Sequence, residues 1–216
     1  LTSPAQNDEG IIQRPGGYRF YVFFNTDPRK RIVFKGSLFG GRRTTASWGN
    51  VQQFSLTVNP TDYLRLSVGM MHWSDLNYEQ YVGVTKDSSG IHRIYSPFKQ
   101  ELTDITVRLN WTFSPDLSLQ MYLQPFRVTG HHYDFKELLL PRTLDLVPYD
   151  GYVYDPSFEL RNNIGTFVLR WEYLPGSTLF VVYNLNDSNY RPQSENDWFT
   201  SKFNTLFIKL NYWFQT

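Results

Sequence analysis

Four histidines are the side chains in this sequence whose chemistry best suits acid–base catalysis or metal binding. His131 and His132 are adjacent and precede Asp134, which gives a small cluster of titratable groups. Neighbouring residues of a strand point to opposite faces, so both histidines cannot reach one metal from a strand, and a third ligand is not evident. A second acid–base candidate consists of His72, His92 and Asp75. The residues support neither a metal site nor a cofactor, and no catalytic residue is assigned.

Charged side chains recur at the polar positions of successive alternating segments. They are Arg19, Lys35, Arg65, Asp104, Arg108, Arg170, Glu172 and Lys209. One hypothesis is structural, in which these charges pair across neighbouring strands and hydrate an interior. The other is functional, in which a basic lining attracts anionic solutes by focusing the electric field in a narrow space. Asp104 and Glu172 favour the structural hypothesis because they place carboxylates among the cations.

The segments that carry these charges alternate strictly between apolar and polar residues, as half-buried β-strands do. In the clearest case, odd positions from Ile105 to Phe113 are apolar and even positions from Asp104 to Thr112 are polar. The pattern predicts about nine strands, near Tyr18–Phe24, Ile32–Leu38, Phe54–Val58, Leu64–Met70, Thr103–Phe113, Leu117–Leu123, Phe167–Tyr173, Leu179–Leu185 and Phe203–Phe214. A single helical turn is predicted at 134–140, and Pro141 would end it.

Connections between the predicted strands alternate between short and long. The short ones are 25–30, 59–62, 114–116 and 174–177, and the long ones are 40–48, 73–102, 128–163 and 186–201. Inside 73–102, the turn signal 87–90 indicates a hairpin of two long strands that extends beyond a membrane. In outer-membrane barrels, short turns face the periplasm and long loops face outside.

The predicted fold class is therefore all-β, as the C-terminal portion of an antiparallel transmembrane β-barrel. Residues 1–216 would be one domain, with 1–17 as an extracellular loop and 18–214 as strands and loops. A soluble β-sandwich is the alternative. The barrel is favoured because about five alternate apolar positions per strand match a band of roughly 25 Å. An odd number of strands that begins outside further predicts that the first and last strands pair with a preceding segment of the same protein.

Composition excludes several classes of function. A net charge of +1 gives no electrostatic footprint for nucleic acid. The absence of cysteine excludes disulfides, cysteine-bound zinc and thiol catalysis. Aromatic residues make up 18% of the chain and cluster at the short-turn ends of the predicted strands, as in the interfacial girdle of a membrane protein.

The C-terminal segment TLFIKLNYWF places alternate apolar residues on one face of the last predicted strand. These residues are Leu206, Ile208, Leu210, Tyr212 and Phe214. The segment is similar to the terminal strand by which outer-membrane proteins are recognised by the barrel-assembly machinery. Two residues, Gln215 and Thr216, follow the aromatic residue that typically ends this signal.

Longer runs resemble the C-terminal part of domain-of-unknown-function family 5916, of the Bacteroidota type. They are TFSPDLSLQMYLQPF (112–126), DFKEL (134–138), GTFVLRWEYLPGSTLFVVY (165–183) and the closing LNYWF. The resemblance covers the second half of the chain well and the first half loosely. It implies a family 9-like carbohydrate-binding domain followed by an outer-membrane barrel, and it supplies no catalytic motif.

The leading functional hypothesis is a non-enzymatic outer-membrane barrel for surface carbohydrate binding or uptake, or a component of a larger transport or secretion complex. Its expected partners are outer-membrane lipid, the barrel-assembly machinery, the preceding segment, and other complex subunits or glycans. Two alternatives stay open: an outer-membrane hydrolase acting on glycans, and a secreted carbohydrate-binding sandwich. The barrel hypothesis places the C-terminus in the periplasm and the long loops outside the cell.

Overall fold

The computed structural model describes residue 12 and residues 15–214, and this part of the chain is all β-structure without a helix. The strands are β1 (Gly17–Asn25), β2 (Ile32–Arg43), β3 (Trp48–Thr61), β4 (Leu64–Asp87), β5 (Gly90–Ser114), β6 (Leu117–His132), β7 (Lys136–Leu138), β8 (Leu146–Pro148), β9 (Phe158–Leu174), β10 (Ser177–Pro192), β11 (Phe199–Lys202) and β12 (Thr205–Asn211). None of the described segments is a helix with the length and apolar character needed to cross a membrane. The predicted loop 1–17 lies mostly outside the described residues.

All twelve strands belong to one antiparallel sheet built mainly from hairpins. The order is β1-β2-β3-β4-β5-β6-β9-β10, and β11 and β12 both pair with β10. Strand β7 pairs with β5 and with β8. Among the described residues β1 and β12 do not pair with each other, so the sheet is open at both edges.

The count of twelve strands corrects the predicted number of about nine. The predicted last strand is divided into β11 and β12, which share one register along β10, since Asp187 pairs with Lys202 and Asn184 pairs with Thr205. Strands β7 and β8 have three residues each and lie in what was predicted as loop. Counting β11 and β12 as one interrupted strand, the main sheet has nine positions.

The short turns follow from local chemistry. Asp27 accepts a hydrogen bond from the backbone N–H of Arg29 at 3.0 Å, which closes the β1–β2 turn. Gly176 has a φ of +77° between β9 and β10, a conformation that favours glycine. Gly90 has a φ of +140° at the tip of the β4–β5 hairpin, where Asp87 Oδ1 also accepts from the N–H of Ser89 at 2.7 Å.

Two predictions for the longer connections have opposite outcomes. The long hairpin is confirmed, since β4 and β5 span 24 and 25 residues. The predicted helical turn at 134–140 is wrong. Lys136 and Glu137 instead pair with Tyr95 and Ile94 of β5, so their backbone groups are satisfied by strand pairing.

The sheet has very little conventional core. Among the described residues the buried apolar side chains are Val33, Ile94, Tyr95, Val128 and Leu138. Four of these five lie toward the long-loop end, near β7. A sheet of this size that leaves most large apolar side chains uncovered needs another apolar phase or partner to be stable.

Candidate functional site

Next to the short turns, one face of the sheet carries a continuous apolar band, and this face is named the band face. On β5 the band consists of the odd residues from Ile105 to Phe113. One row of directly paired residues is apolar or aromatic on eight strands: Ile32, Val58, Leu66, Leu109, Met121, Phe167, Tyr183 and Leu206. Such continuity across strands is what a surface bounded by one apolar phase requires.

The upper edge of the apolar band is slanted relative to the rows of paired residues. On β1 the band reaches Phe20, and on β10 it ends at Leu185, because Asp187 follows on the same face. The row of directly paired residues that starts at Phe20 crosses seven strand pairings and reaches β10 at Arg191. Arg191 lies six residues closer to the long-loop end of β10 than Leu185, where the band ends. With about 3.4 Å per residue and about 4.8 Å per strand, the edge slopes by roughly 30°. A level band therefore requires strands tilted by about that angle.

The opposite face, named the ladder face, is mainly polar beside the band on β2–β6. At the sides of the sheet it also carries apolar residues, namely Phe23 of β1, Phe180 and Val182 of β10 and Phe207 of β12. The register places all eight predicted lining residues on it: Arg19, Lys35, Arg65, Asp104, Arg108, Arg170, Glu172 and Lys209. The structure brings some of these charges together, as in the ion pair of Arg170 and Glu172 at 2.6 Å. Their role in lining a lumen stays a prediction.

A hydrogen-bonded network crosses the ladder face between β5 and β6. Tyr122 donates to Gln124, which donates to Asp104 Oδ2, and Thr106 donates to Asp104 Oδ1 at 3.1 Å. The guanidinium of Arg108 lies 5.0 Å from the centre of the Tyr122 ring. A cavity of about 610 Å³ lies against this network and is bounded by polar side chains of β2–β4. This part of the ladder face thus provides a hydrogen-bonding surface.

Toward the long loops, the polarity of the two faces is reversed. On β6, Arg127 and Thr129 follow Pro125 on the band face, while Phe126 and Val128 lie on the ladder face. One ladder-face row is apolar at all nine sheet positions: Tyr21, Phe39, Val51, Trp73, Leu102, Val128, Leu160, Tyr190 and Phe199. The adjacent band-face row is polar at seven: Gln52, His72, Thr103, Arg127, Arg161, Asn189 and Thr200. The two faces of the same strands therefore exchange their polarity along the strand direction.

Above this inversion, a cavity of about 690 Å³ lies at the long-loop end of β1–β4. Its side chains include Arg19, Phe39, Arg43, Trp48, Trp73 and Asp75. Asp75 Oδ1 is buried without a hydrogen-bond partner among the described residues. Burial raises the pKa of the Asp75 carboxyl. The cavity therefore combines aromatic surfaces with an unsatisfied acceptor and three arginines, Arg19, Arg42 and Arg43, of which Arg43 is paired with buried Glu79 at 3.6 Å.

One comparison with known proteins bears on this arrangement. The family model of a domain of unknown function, DUF5916, matches residues 4–212. The chain belongs to this family. No curated protein and no solved structure matches the chain. The predicted family is therefore confirmed, and its description assigns no activity.

In this DUF5916 chain three of the five predicted barrel-assembly residues lie on the band face. Leu206, Ile208 and Leu210 lie on β12 and pair with band residues of β10. Tyr212 and Phe214 follow the end of β12, with ring centroids 4.6 Å apart. More than half of each of these five side chains is exposed. They extend the apolar band to the sheet edge, and their recognition by assembly machinery stays a prediction.

The predicted histidine clusters of this DUF5916 chain do not assemble into a site. His131 and His132 are consecutive in β6, so they lie on opposite faces. The His132 ring stacks on Phe98 at 4.3 Å, and its Nδ1 lies 2.6 Å from Ser96 Oγ. Burial lowers the pKa of His132 to about 4. No group of three or more His, Asp or Glu in the described part of the chain could hold a metal ion.

The second predicted group is also dispersed. His72 lies on the band face, where its Nδ1 is 3.0 Å from Thr103 Oγ1, whereas Asp75 lies on the ladder face. His92 is at the tip of the β4–β5 hairpin. These residues therefore do not form one acid–base site.

His92 instead lies between two carboxylates. Its Nε2 is 2.9 Å from Asp87 and its Nδ1 is 2.8 Å from Glu137 of β7, and Ser89 Oγ is 3.0 Å from Nε2. Ser, His and Glu thus occur in the order of a hydrolytic triad. However, Asp87 also accepts from Ser89, at 2.5 Å. Hydrogen bonds to Asp87 and then to Glu137 raise the pKa of His92, which disfavours a neutral base. The group is better described as a clamp between the hairpin tip and β7.

A cluster of arginines that was not predicted lies on the band face, just above the apolar band. Arg127, Arg161 and Arg191 come from β6, β9 and β10, and all three contact Glu159, at 2.7, 2.8 and 3.0 Å. The indole of Trp198 lies 4.6 Å from the Arg161 guanidinium and 4.9 Å from that of Arg191. Following the same-face positions past the end of the apolar run on each strand shows that the three arginines share the band face, but their convergence on Glu159 depends on strand register.

Proposed function

We propose that this chain forms part of a transmembrane β-barrel of the outer membrane, with the band face toward lipid and the ladder face toward a lumen. The polarity inversion carries this proposal. In the membrane, the outside of a barrel is apolar and its interior is polar. Above the membrane the outside is wet, so apolar side chains gain by turning inward.

A soluble sandwich accounts for these features less well. Each of its sheets keeps one face against a second layer along the length of its strands. Here the band face is left uncovered, with Val68 42%, Ile105 40% and Ile208 67% exposed. Lipid would cover this surface. The slope of roughly 30° at the band edge is close to the tilt of about 35 to 45° in membrane barrels.

The proposal also fixes an orientation. Short turns would face the periplasm, with the C-terminus on that side, and the long hairpin of β4 and β5 would extend outside the cell. The open edges at β1 and β12 would pair with other strands of the same protein, because unpaired edges are too costly in lipid. The barrel-assembly machinery would act on the segment from Leu206 to Phe214, and other outer-membrane subunits are further candidate partners.

For the solute, we propose non-enzymatic carbohydrate binding or uptake through the cavity above the inversion. Trp73 and Phe39 offer ring faces on which the apolar side of a sugar can stack, each with over a third of its surface exposed. Asp75 can accept from a sugar hydroxyl, since its Oδ1 has no partner among the described residues. Arg19 and Arg43 supply donors to ring oxygens and hydroxyls.

The membrane proposal is tested by spin-label accessibility in the full-length protein in lipid vesicles. The sequence contains no cysteine, so single cysteines at 102, 103, 109 and 110 give clean labels. We expect oxygen, which partitions into lipid, to relax the label at 109 and not at 110. A water-soluble nickel reagent should relax the label at 103 more than that at 102. Accessibility to oxygen at both 109 and 103, or at neither, would refute the polarity inversion.

The carbohydrate proposal is tested separately by titrating the full-length protein with oligosaccharides and measuring the heat of binding, a readout that does not depend on Trp73. Trp73→Ala should abolish saturation, and Asp75→Asn, which replaces a charged acceptor with a neutral one, should weaken binding by about 5 to 10-fold. Trp198→Ala, on the other face of the sheet, is the matched control and should bind as the wild type does. Unchanged binding in Trp73→Ala and Asp75→Asn would reject this cavity.

A further inference from the structure

We infer that the arginine cluster on the band face is a binding site for a phosphate group carried by an outer-leaflet lipid. The cluster comprises Arg127, Arg161, Arg191, Glu159 and Trp198. The inference rests on the proposed function, because it uses the position of the cluster relative to the apolar band.

The arginine cluster lies at the upper edge of the apolar band. Arg127 is the next band-face residue after Pro125, the last apolar residue of the band on β6. Arg161 pairs directly with Arg127 on the neighbouring strand. In a barrel this is the level at which lipid headgroups begin, and basic side chains there bind anionic headgroups. A guanidinium that faces lipid at this height has phosphate as its natural partner.

The arginine cluster has more positive than negative charge. Three guanidiniums share one carboxylate, so the cluster keeps a net charge of +2. Among the neighbouring charges, Lys99 pairs with Glu101 at 2.9 Å, Asp187 lies opposite Lys202 in the strand pairing, and Glu195 and Asp197 belong to the loop that carries Trp198. Like charges directly opposite each other on neighbouring strands, as Arg127 and Arg161 are, destabilise a sheet. An additional anion would relieve that repulsion.

The geometry of the arginine cluster keeps hydrogen-bond donors accessible. Glu159 is 9% exposed, whereas Arg127 and Arg161 keep 58% and 53% of their side chains exposed. A guanidinium has five N–H donors and binds phosphate through two of them at once. The contacts to Glu159 occupy only part of this capacity. Trp198 stacks on Arg161 and Arg191 and so restricts their planes. The buried carboxylate thus orders three guanidiniums whose remaining donors are accessible.

The test is native mass spectrometry of the full-length protein in neutral detergent, titrated with phosphatidic acid and, in a second arm, with inorganic phosphate. We expect saturable binding of phosphatidic acid. The double variant Arg127→Gln/Arg161→Gln should bind it roughly 25-fold more weakly, since each basic group near an anionic surface contributes about fivefold. Arg29→Gln, in the exposed β1–β2 turn, is the matched control and should bind as the wild type does.

Equal affinity in the wild type and the double variant would overturn the inference. Displacement of phosphatidic acid by an equal concentration of inorganic phosphate would assign the site to a free anion and so reject the lipid source. If the double variant does not fold, the single variant Arg127→Gln decides, with about fivefold weakening expected. Flotation with neutral phosphatidylcholine vesicles tests the membrane proposal by itself. Failure to float refutes that proposal, whereas flotation with unaltered lipid affinity refutes only the cluster.

Discussion

The short-turn half and the long-loop half of the sheet are built from the same strands. In the short-turn half the band face is apolar, whereas in the long-loop half the ladder face is apolar. In β6, Leu123 of the lower half and Arg127 of the upper half share the band face, whereas Gln124 and Val128 share the ladder face. The register of β6 with β5 and β9 is the same on both sides of the change, although residues 105 and 106 of β5 are not paired with β6 at Pro125 and Gln124. The backbone therefore sets where side chains point, while the surrounding phase sets which chemical type is stable there.

The two halves also differ in what covers their apolar surfaces. In the long-loop half, β7 lies against β5 and the side chains of Ile94, Tyr95 and Leu138 are buried. In the short-turn half, the described residues supply no second layer over the apolar band. Apolar substitutions should therefore act through internal packing in the upper half and through an external apolar phase in the lower half.

The largest effect is expected from a charged side chain placed at the centre of the apolar band. Leu109→Arg should reduce the free energy of unfolding by about 2 to 4 kcal/mol in lipid, the cost of a cation at the midplane of a barrel. Asn110→Arg, one residue away on the polar ladder face, should cost close to zero. Denaturant titration of the full-length protein in vesicles, followed by heat-modifiable electrophoretic mobility, measures both. Equal losses would contradict the assignment of the two faces.

The next effect tests the same comparison in the upper half, where the faces should exchange roles. Val128 is 7% exposed on the ladder face, so Val128→Arg should cost about 2 kcal/mol or more through burial of an unpaired charge. Thr129 lies on the band face between Glu101 and Glu159, so Thr129→Arg should be tolerated or slightly stabilising. The same titration measures both variants. Greater damage from Thr129→Arg would show that the polarity does not invert.

These two halves also explain which parts of the fold could be predicted from the sequence. Strands with one long apolar run, such as 103–113, are readable because period-two alternation needs only local information. The extension of β4 and β5 to Asp87 and Gly90 was inferred from a turn signal. The three-residue strands β7 and β8 were not readable, because their pairing depends on a distant partner and offers almost no periodicity.

The candidate sites were predictable to a smaller degree. The face shared by the eight charged residues follows from the alternation of side chains between the two faces of each strand, so it could be predicted from the sequence. The inversion was not predicted, because each predicted strand ends where its apolar run ends, and after Pro125 the apolar residues of β6 move from odd to even positions. The convergence of Arg127, Arg161 and Arg191 on Glu159 depends on strand register, which a single sequence does not fix.

A smaller effect sharpens the comparison through pH, because buried His132 belongs to the upper half. Burial lowers the pKa of His132 from its ordinary value of 6.5 to about 4, so the unfolded chain binds a proton between those pH values and the folded chain does not. Stability contributed by neutral His132 is therefore present above about pH 6.5 and is lost as the pH falls toward 4. Stability curves at several pH values should show this slope, and His132→Phe should flatten it. An unchanged slope in the variant would place the titrating group elsewhere.

The smallest effect has the opposite sign and concerns the clamp at the hairpin tip. Hydrogen bonds with Asp87 and Glu137 raise the pKa of His92 above 6.5, so protonated His92 stabilises the docking of β7. That stabilisation is fully present below pH 6.5 and is lost as the pH rises through the raised pKa. The stabilisation should be modest, because solvent at the hairpin tip screens the ion pairs.

Limited proteolysis of segment 139–145, next to β7, measures this stabilisation. Cleavage should become faster as the pH rises from 6.5 in the wild type, and this pH dependence should be lost in His92→Gln. His72→Gln, whose ring contacts Thr103 away from the clamp, should behave as the wild type does. Faster cleavage at low pH in the wild type would mean that His92 docks β7 in its neutral form.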